Sequence, residues 1–343
     1  MNSKSCCPLL LFCVMAISSL DLWALGMEMG LPELVRSHGV NNPALRSSDQ
    51  DSSVAHVAGD FGAQPFFSDQ DLSSYLGNYT RDGLQTSIGL EFSANPKPYA
   101  LSLSTRSASC KWRSTNAQTP DYVYQGSMSQ FNVGIGFRVN DQWDLGASLN
   151  GIQYNTELDS LSVPFANYWF QFENFAFNLY SRYQASTWSL DFRLIPYQSR
   201  HREYHYMDET VSDGVNTRNW FGPIGFEAAL ERDFRLGQRS LRLGFLPHVE
   251  IPMDSDDDPF LTAGPYLSLP LGHRSSAQMG AVAGVRNGDP WLDANLGLDC
   301  RLWRGFFAST AAGVQYGRLP LDKNAGTRVE LHLGLGWQFA TSP

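Results

Sequence analysis

Apolar and polar residues alternate along most of the chain from residue 84 onward. The same period of two recurs in segments 84–92, 131–139, 188–194, 241–251 and 292–302. Few stretches show the spacing of three and four residues that marks an amphipathic helix. Strict alternation is typical of strands with one apolar face, so the pattern predicts an all-β protein. The clearest example is the last segment, where one face carries Val329, Leu331, Leu333, Leu335, Trp337 and Phe339.

The spacing of these segments predicts an up-and-down arrangement of antiparallel strands. We place strands near residues 84–92, 99–106, 127–139, 143–154, 170–184, 187–195, 221–232, 240–251, 260–271, 276–285, 291–302, 306–316 and 327–339. Short connections at 140–142, 185–186, 233–239 and 272–275 alternate with longer ones at 107–126, 155–169 and 196–220. An even strand number needs one more strand, for which residues 57–67 are the candidate. We therefore predict a transmembrane antiparallel β-barrel of about 14 strands, with 12 to 16 possible.

Alternation by itself also fits a soluble β-sandwich, whose apolar face points inward. The aromatic residues favour the membrane barrel. Trp143 and Trp188 directly follow short turns, Trp303 lies in one, and Trp337 and Phe339 end the last strand. All of them therefore fall at one end of the strands, as in the aromatic belt at a membrane surface.

The N-terminus has the composition of an export signal. Lys4 precedes an apolar run over residues 6–17, and Ala24-Leu25-Gly26 supplies small residues at a cleavage site. We expect a signal peptide at 1–26, a polar segment at 27–56 that is a periplasmic tail or a plug, a barrel at 57–339 and a C-terminal tail at 340–343. No other stretch has the ~20 apolar residues that a membrane helix needs.

With this signal, the hairpin from Phe131 to Leu149 and the closing strand from Val329 to Phe339, the chain resembles bacterial outer-membrane β-barrel proteins as a class. The hairpin turns at Asn140-Asp141-Gln142-Trp143, and the closing strand is similar to the C-terminal insertion signal of that class. The resemblance implies a bacterial outer membrane, with membrane lipid, lipopolysaccharide and the barrel-assembly machinery as partners. Pro247 and Pro265 depart from the pattern, because each falls inside a predicted strand. They imply bulges or different strand limits.

The charged residues exclude nucleic acid as a partner and predict a charged barrel interior. The net charge is −9, and only four of the 25 basic residues are lysines, so no basic stripe for nucleic acid is present. Alternation places acidic and basic groups on the inward face, which must then be wet or closed by an ionic network. These candidate lumen-lining residues are Arg138, Asp144, Arg182, Asp191, Arg193, Glu227, Glu231, Arg242, Asp293, Asp299, Arg301, Arg328 and Glu330.

The sequence assigns no catalytic, cofactor-binding or metal site. His201, Glu203 and His205 alternate in the predicted loop 196–220, where a solvated loop explains them as well as a metal site does. The acidic run 254–258 lacks the glycine of a calcium-binding EF-hand. Residues 78–83 are faintly similar to the start of lipid A deacylase barrels. Cys110 and Cys300 are expected to stay unbonded, with Cys110 in an external loop far from Cys300.

These features predict a narrow or selective channel for small polar solutes. Charged groups and many inward glycines motivate this hypothesis, because small residues leave room for water. Two alternatives are a closed structural or adhesion barrel that acts through its loops, and a surface enzyme that acts on lipid.

Overall fold

The computed structural model describes residues 55–72, 77–94, 98–116, 121–158, 167–207, 212–236, 239–253, 259–272, 274–286, 288–303, 305–318 and 325–341. The described residues contain no helix of the length and hydropathy needed to cross a membrane. The predicted signal peptide and nearly all of the polar segment 27–56 lie outside these residues. The described strands are β1 (Ala55–Leu72), β2 (Gly77–Ala94), β3 (Tyr99–Asn116), β4 (Tyr122–Arg138), β5 (Trp143–Leu158), β6 (Asn167–Gln184), β7 (Trp188–Met207), β8 (Ser212–Asn219), β9 (Ile224–Leu236), β10 (Arg239–Ile251), β11 (Phe260–Pro270), β12 (Ser275–Arg286), β13 (Asp289–Trp303), β14 (Phe306–Arg318) and β15 (Ala325–Thr341).

The strands form one closed antiparallel barrel. Except for β8 and β9, which both pair with β7, consecutive strands pair with each other, and β15 returns to pair with β1. Across this closure Phe61 faces Leu335 and Ala55 faces Thr341. Closure satisfies the backbone of both outer strands, as a membrane barrel requires. The predicted fold class is confirmed.

The fifteen described strands occupy fourteen positions in the ring. The first part of β7, Trp188 to Ile195, pairs with β9, whereas Arg200 to Met207 pairs with β8. β8 and β9 are therefore two pieces of one barrel strand, interrupted at residues 220–223. The change of partner coincides with a one-residue register shift between β6 and β7, opposite Pro196. A proline that removes a ladder hydrogen bond accounts for this break.

The barrel wall has two heights. We call the end with the short connections 140–142 and 185–187 the turn end, and the opposite end the loop end. Strands β1–β7 contain 16–20 residues, whereas β9–β14 contain 11–15. The six-residue difference between β6 and β12 corresponds to roughly 20 Å of strand. We call β1–β8 the tall wall.

The prediction of long loops at 107–126 and 196–220 was wrong. Strands of the tall wall continue into both segments. β3 runs to Asn116 and β4 begins at Tyr122. In this extension Cys110 and Trp112 are buried inside, while Ser109 and Lys111 are exposed outside. The alternation therefore continues with its two faces exchanged. Above the lipid the outward face of these strands meets water. Its residues there are polar, and the apolar residues point inward.

The prolines in β10 and β11 interrupt the ladder without shifting it. Pro247 pairs with Ala263 of β11, and the β9–β10 register is the same before and after it. Around Pro265 the β11–β12 register is likewise unchanged. The predicted limits 240–251 and 260–271 are right to within one residue, and neither proline is a bulge.

Aromatic side chains surround the turn end on the outside. Tyr183 lies 5.0 Å from both Trp143 and Trp188, measured between ring centroids. On the other side of the barrel Trp303 stacks on Phe306 at 6.3 Å. Trp143, Trp188 and Trp303 are among the rings that the sequence assigns to a membrane interface, and Tyr183 and Phe306 join them in the structure.

Candidate functional site

The loop-end half of the tall wall carries a cluster of apolar side chains on its inner face. We call this the aromatic cluster. Trp112 and Tyr124 stack across β3 and β4 with ring centroids 5.4 Å apart. Tyr154 and Phe170 pack across β5 and β6 at 5.9 Å. The cluster comprises Phe66, Ala108, Cys110, Trp112, Tyr124, Met128, Tyr154, Phe170 and Phe172, all of them buried.

The cluster arises from the exchanged alternation of the tall wall. Cross-strand register brings Met128 opposite Tyr154, and Tyr154 opposite Phe172. Glycine fills the place where rings need space: a Cβ on Gly83 would lie 2.8 Å from Phe66. Burial of these rings is favourable at about 25 cal/mol per Å² of apolar surface. The loop-end half of the interior is therefore apolar along this wall.

A layer of uncharged polar side chains adjoins the cluster toward the turn end. Asn132 donates to Asn150 at 2.6 Å, and Asn178 donates to Ser148 at 3.2 Å. Tyr180 shares a 3.2 Å hydrogen bond with the same serine. These side chains point inward from β4, β5 and β6. They separate the aromatic cluster from the charged residues near the turns.

The predicted charges at the turn end form ion pairs. Arg138 Nε lies 3.1 Å from Asp144 Oδ1, across the β4–β5 hairpin. The length of the turn at 140–142 predicts that Arg138 faces Asp144 and that Ile135 faces Ala147, and the structure confirms this register. Arg182 Nε lies 3.3 Å from Asp191 Oδ1, and the β5–β6 register places Asp144 beside Arg182. Two acids and two bases thus alternate along the inner wall.

A second network crosses β7, β9 and β10. Arg193 Nη1 lies 2.9 Å from Glu227 Oε2, and the other oxygen of Glu227 lies 2.9 Å from His248 Nδ1. Glu250 extends the network to Arg200 at 3.2 Å. All five side chains are buried or half-buried. Sequence analysis found Arg193 and Glu227 but missed Arg200, His248 and Glu250.

A third group lies on β9, β10 and β11. Arg242 Nε lies 2.9 Å from Asp233 Oδ1, and its Nη1 lies 3.5 Å from Glu231. Tyr266 donates a hydrogen bond to the same glutamate. Arg242 is half exposed, at 49% of its side chain, whereas Glu231 is mostly covered. Arg242 therefore sits at the rim of the interior rather than within it.

The remaining predicted residues lie on β13 and β15. Arg328 Nε lies 3.1 Å from Glu330 Oε2, and the Arg328 guanidinium covers the Phe66 ring at 4.6 Å. Asp293 is fully buried, and Asp299 accepts a 3.4 Å hydrogen bond from Ser276. Arg301 is exposed. The structure does not bring Arg301 into the ion pairs described above.

Sequence reasoning missed the aromatic cluster. Most of its residues on β3 and β4 lie in the segment 107–126, which was predicted to be a loop. The available signal was the continued period of two over residues 107–113, in which Ala108, Cys110 and Trp112 alternate with Ser107, Ser109 and Lys111. The apolar residues of this segment occupy the positions that face inward. Their place in the alternation therefore shows that the apolar face changes from the outside to the inside.

The other sequence motifs do not form a site. His201, Glu203 and His205 lie on β7 rather than in a loop, and His201 Nε2 is 3.8 Å from Glu203. Within the described ranges no three His, Cys, Asp or Glu side chains form a metal-binding group. Residues 78–83 belong to strand β2. The acidic run 254–258 lies outside the described residues.

Among the described residues, Cys110 and Cys300 form no disulfide with each other, as predicted. The reason given from the sequence was partly wrong, because Cys110 lies in β3 and not in an external loop. It is buried in the aromatic cluster. Cys300 lies near the turn end of β13, where Ser275 donates to its sulfur at 3.6 Å.

No known family model matches the chain, and no curated protein is similar to it in sequence. Solved structures are similar in fold. The Pseudomonas putida toluene transporter TodX has a TM-score of 0.55 at 9% identity, over 91% of this chain and 96% of that one. The monoaromatic hydrocarbon channel CymD has a TM-score of 0.56 at 10% identity, over 88% and 92%. A Pseudomonas aeruginosa FadL homologue has a TM-score of 0.55 at 13% identity, over 92% and 97%.

These similarities establish the fold. The chain has the closed 14-strand architecture of bacterial outer-membrane β-barrels, and the predicted class is confirmed.

Proposed function

We propose that this protein is an outer-membrane channel for small hydrophobic molecules, with monoaromatic compounds as the first class to test. The observation that carries the proposal is the aromatic cluster on the inner face of the tall wall. An aromatic solute would gain contact with these rings while leaving water, which is favourable in proportion to its apolar area. Two structures of similar fold are titled as a monoaromatic hydrocarbon channel and a toluene transporter, which supports the same class.

The ion pairs disfavour polar solutes. The sequence suggested polar solutes because charged groups were expected to line an aqueous passage. In the structure most of these groups neutralise one another, as in Arg182–Asp191 and Arg193–Glu227. A polar solute would have to displace a charge from a buried partner, which is costly. Catalysis finds no support in the motifs described above.

The proposal includes the route to the membrane. The predicted signal peptide would export the chain, and the strand Val329 to Phe339 would be recognised by the barrel-assembly machinery. The exposed apolar face would contact lipid. The exposed polar face of the tall wall, which includes Ser129 and Gln153, would meet lipopolysaccharide.

The test is uptake by intact Gram-negative cells, whose lipopolysaccharide layer retards hydrophobic solutes. Cells that lack other hydrocarbon channels would express the full chain, and initial uptake of radiolabelled toluene would be measured. Met128→Glu places a charge inside the cluster, where Met128 is 2% exposed. Ser129→Glu is the matched control, because the next residue faces outward and is exposed.

We expect the wild type and Ser129→Glu to accelerate toluene uptake equally, and Met128→Glu to abolish the acceleration. Both variants must show the heat-dependent gel mobility of a folded barrel. Folded wild-type protein that leaves toluene uptake at the level of empty cells would contradict the proposal.

A further inference from the structure

Two glutamine side chains lie on the inner wall beside the aromatic cluster. Gln85 is on β2 and Gln64 is on β1, and the register places them directly opposite each other. On its other side Gln85 faces Cys110 of the cluster. Directly opposite residues have Cβ atoms about 5 Å apart, so both amides border the same patch of the interior.

These amides have unused hydrogen-bonding groups. Gln85 is 1% exposed, and neither its Oε1 nor its Nε2 has a hydrogen-bond partner in the described part of the barrel. Gln64 is 2% exposed; its Nε2 donates to Glu330 at 2.8 Å, but its Oε1 has no partner there. Buried amide groups are almost always hydrogen-bonded, because leaving one unpaired is costly. Two acceptors and one donor group on opposite residues thus lie unsatisfied next to an apolar surface.

We propose that this pair of amides selects hydroxylated monoaromatic compounds, such as phenols, over bare hydrocarbons. The inference rests on the proposed channel function and names its preferred substrate class. The ring of the solute would pack on the aromatic cluster near Phe66 and Trp112. Its hydroxyl group would donate to one glutamine oxygen and accept from Gln85 Nε2, since a hydroxyl can do both.

The same geometry disfavours the two related solute classes. A bare hydrocarbon leaves the amides unpaired, and sites built to bond a hydroxyl reject analogues that lack it. A carboxylate has no proton to donate to an amide oxygen. A neutral phenol fits the donors and acceptors that are present.

The test compares shape-matched fluorinated probes on the purified mature protein in detergent. Binding of 4-fluorophenol, fluorobenzene and 4-fluorobenzoate would be followed by ¹⁹F NMR against empty micelles. Gln85→Leu removes the free amide. Gln153→Leu is the matched control, because Gln153 is exposed on the outer face of β5. Gln64→Leu is the second variant. It replaces Gln85→Leu in the comparison if that variant fails to show the mobility of a folded barrel.

We expect the wild type and Gln153→Leu to bind 4-fluorophenol most tightly of the three probes. Gln85→Leu should weaken 4-fluorophenol binding about tenfold, which corresponds to one buried hydrogen bond, and should not weaken fluorobenzene binding. An equal ratio of phenol to benzene affinity in wild type and both folded glutamine variants would overturn the inference. Tighter binding of 4-fluorobenzoate would overturn it too. If fluorobenzene and 4-fluorophenol both bind no better than to micelles, the proposed function fails with it.

Discussion

The ring of Tyr266 lies directly over Gly244. A Cβ on Gly244 would stand 2.0 Å from Cε1 of Tyr266, so only glycine fits beneath the ring. Tyr266 is on β11 and Gly244 on β10, and the ring crosses β10 to donate a hydrogen bond to Glu231 on β9. Glycine normally weakens a strand, because it has no side chain to pack. Here the missing side chain of Gly244 leaves room for the Tyr266 ring, which connects three strands.

Replacing this glycine should destabilise the barrel. Gly244→Val would displace the Tyr266 ring and remove a donor from buried Glu231, at a cost of about 1–3 kcal/mol. Denaturant unfolding of the protein in lipid vesicles, followed by tryptophan fluorescence, measures the change. Gly297→Ala is the control, since the nearest atom to its Cβ would be 3.7 Å away. Equal unfolding midpoints for the two variants would contradict the role of Gly244.

Ion pairs at different depths should differ in their contribution to stability. Asp191→Ala leaves the guanidinium of Arg182 buried, and loss of one partner of a buried pair costs up to about 3–5 kcal/mol. Arg138→Ala removes a side chain that is 30% exposed, and Arg182 still lies beside Asp144, so the loss should be smaller than that of Asp191→Ala. The same unfolding measurement ranks the two variants. A larger effect for Arg138→Ala would show that the Arg182–Asp191 pair is hydrated.

The thiols should differ in reactivity. Cys110 is 1% exposed inside the aromatic cluster, whereas Cys300 is half-buried. A maleimide should therefore label Cys300 of the folded protein faster than Cys110, as read by peptide mass spectrometry. After denaturation without reductant, the mature chain should present two free thiols. A count of zero would mean that a disulfide forms, against the geometry.

The aromatic cluster should restrict ion flow. Tyr154 is fully buried at its centre, so Tyr154→Ala should open a gap that water and ions can enter. We expect low conductance of the wild type in planar bilayers and a higher conductance of Tyr154→Ala. Ser129→Ala, which changes the outer face, should conduct like the wild type. An open-pore conductance that is the same in all three proteins would show that the cluster does not narrow the passage.

The amino-acid sequence determined the strands within the lipid and the local pairing at short turns. Lipid outside and polar groups inside impose a period of two, which is readable from residue 84 onward, whereas the first strand followed only from the need for an even strand number. At the β4–β5 hairpin the turn is so short that the Arg138–Asp144 pair follows from counting residues. The sequence also identified Arg193 and Glu227 as inward charges. Their partners could not be read, because register over a separation of 34 residues depends on every intervening turn and bulge.

Only the tertiary structure decided which inward groups meet. Closure of the barrel brings Gln64 to Glu330, although 266 residues of sequence separate them. No local sequence pattern indicates that these two residues meet. The tall wall is a second example. Above the lipid the outward face meets water and the inward face is dry. The apolar residues therefore change from the outward face to the inward face, at a height that only the assembled barrel defines. For that reason the sequence predicts a loop around Cys110 and Trp112, whereas the structure shows this segment to be the apolar side of the interior.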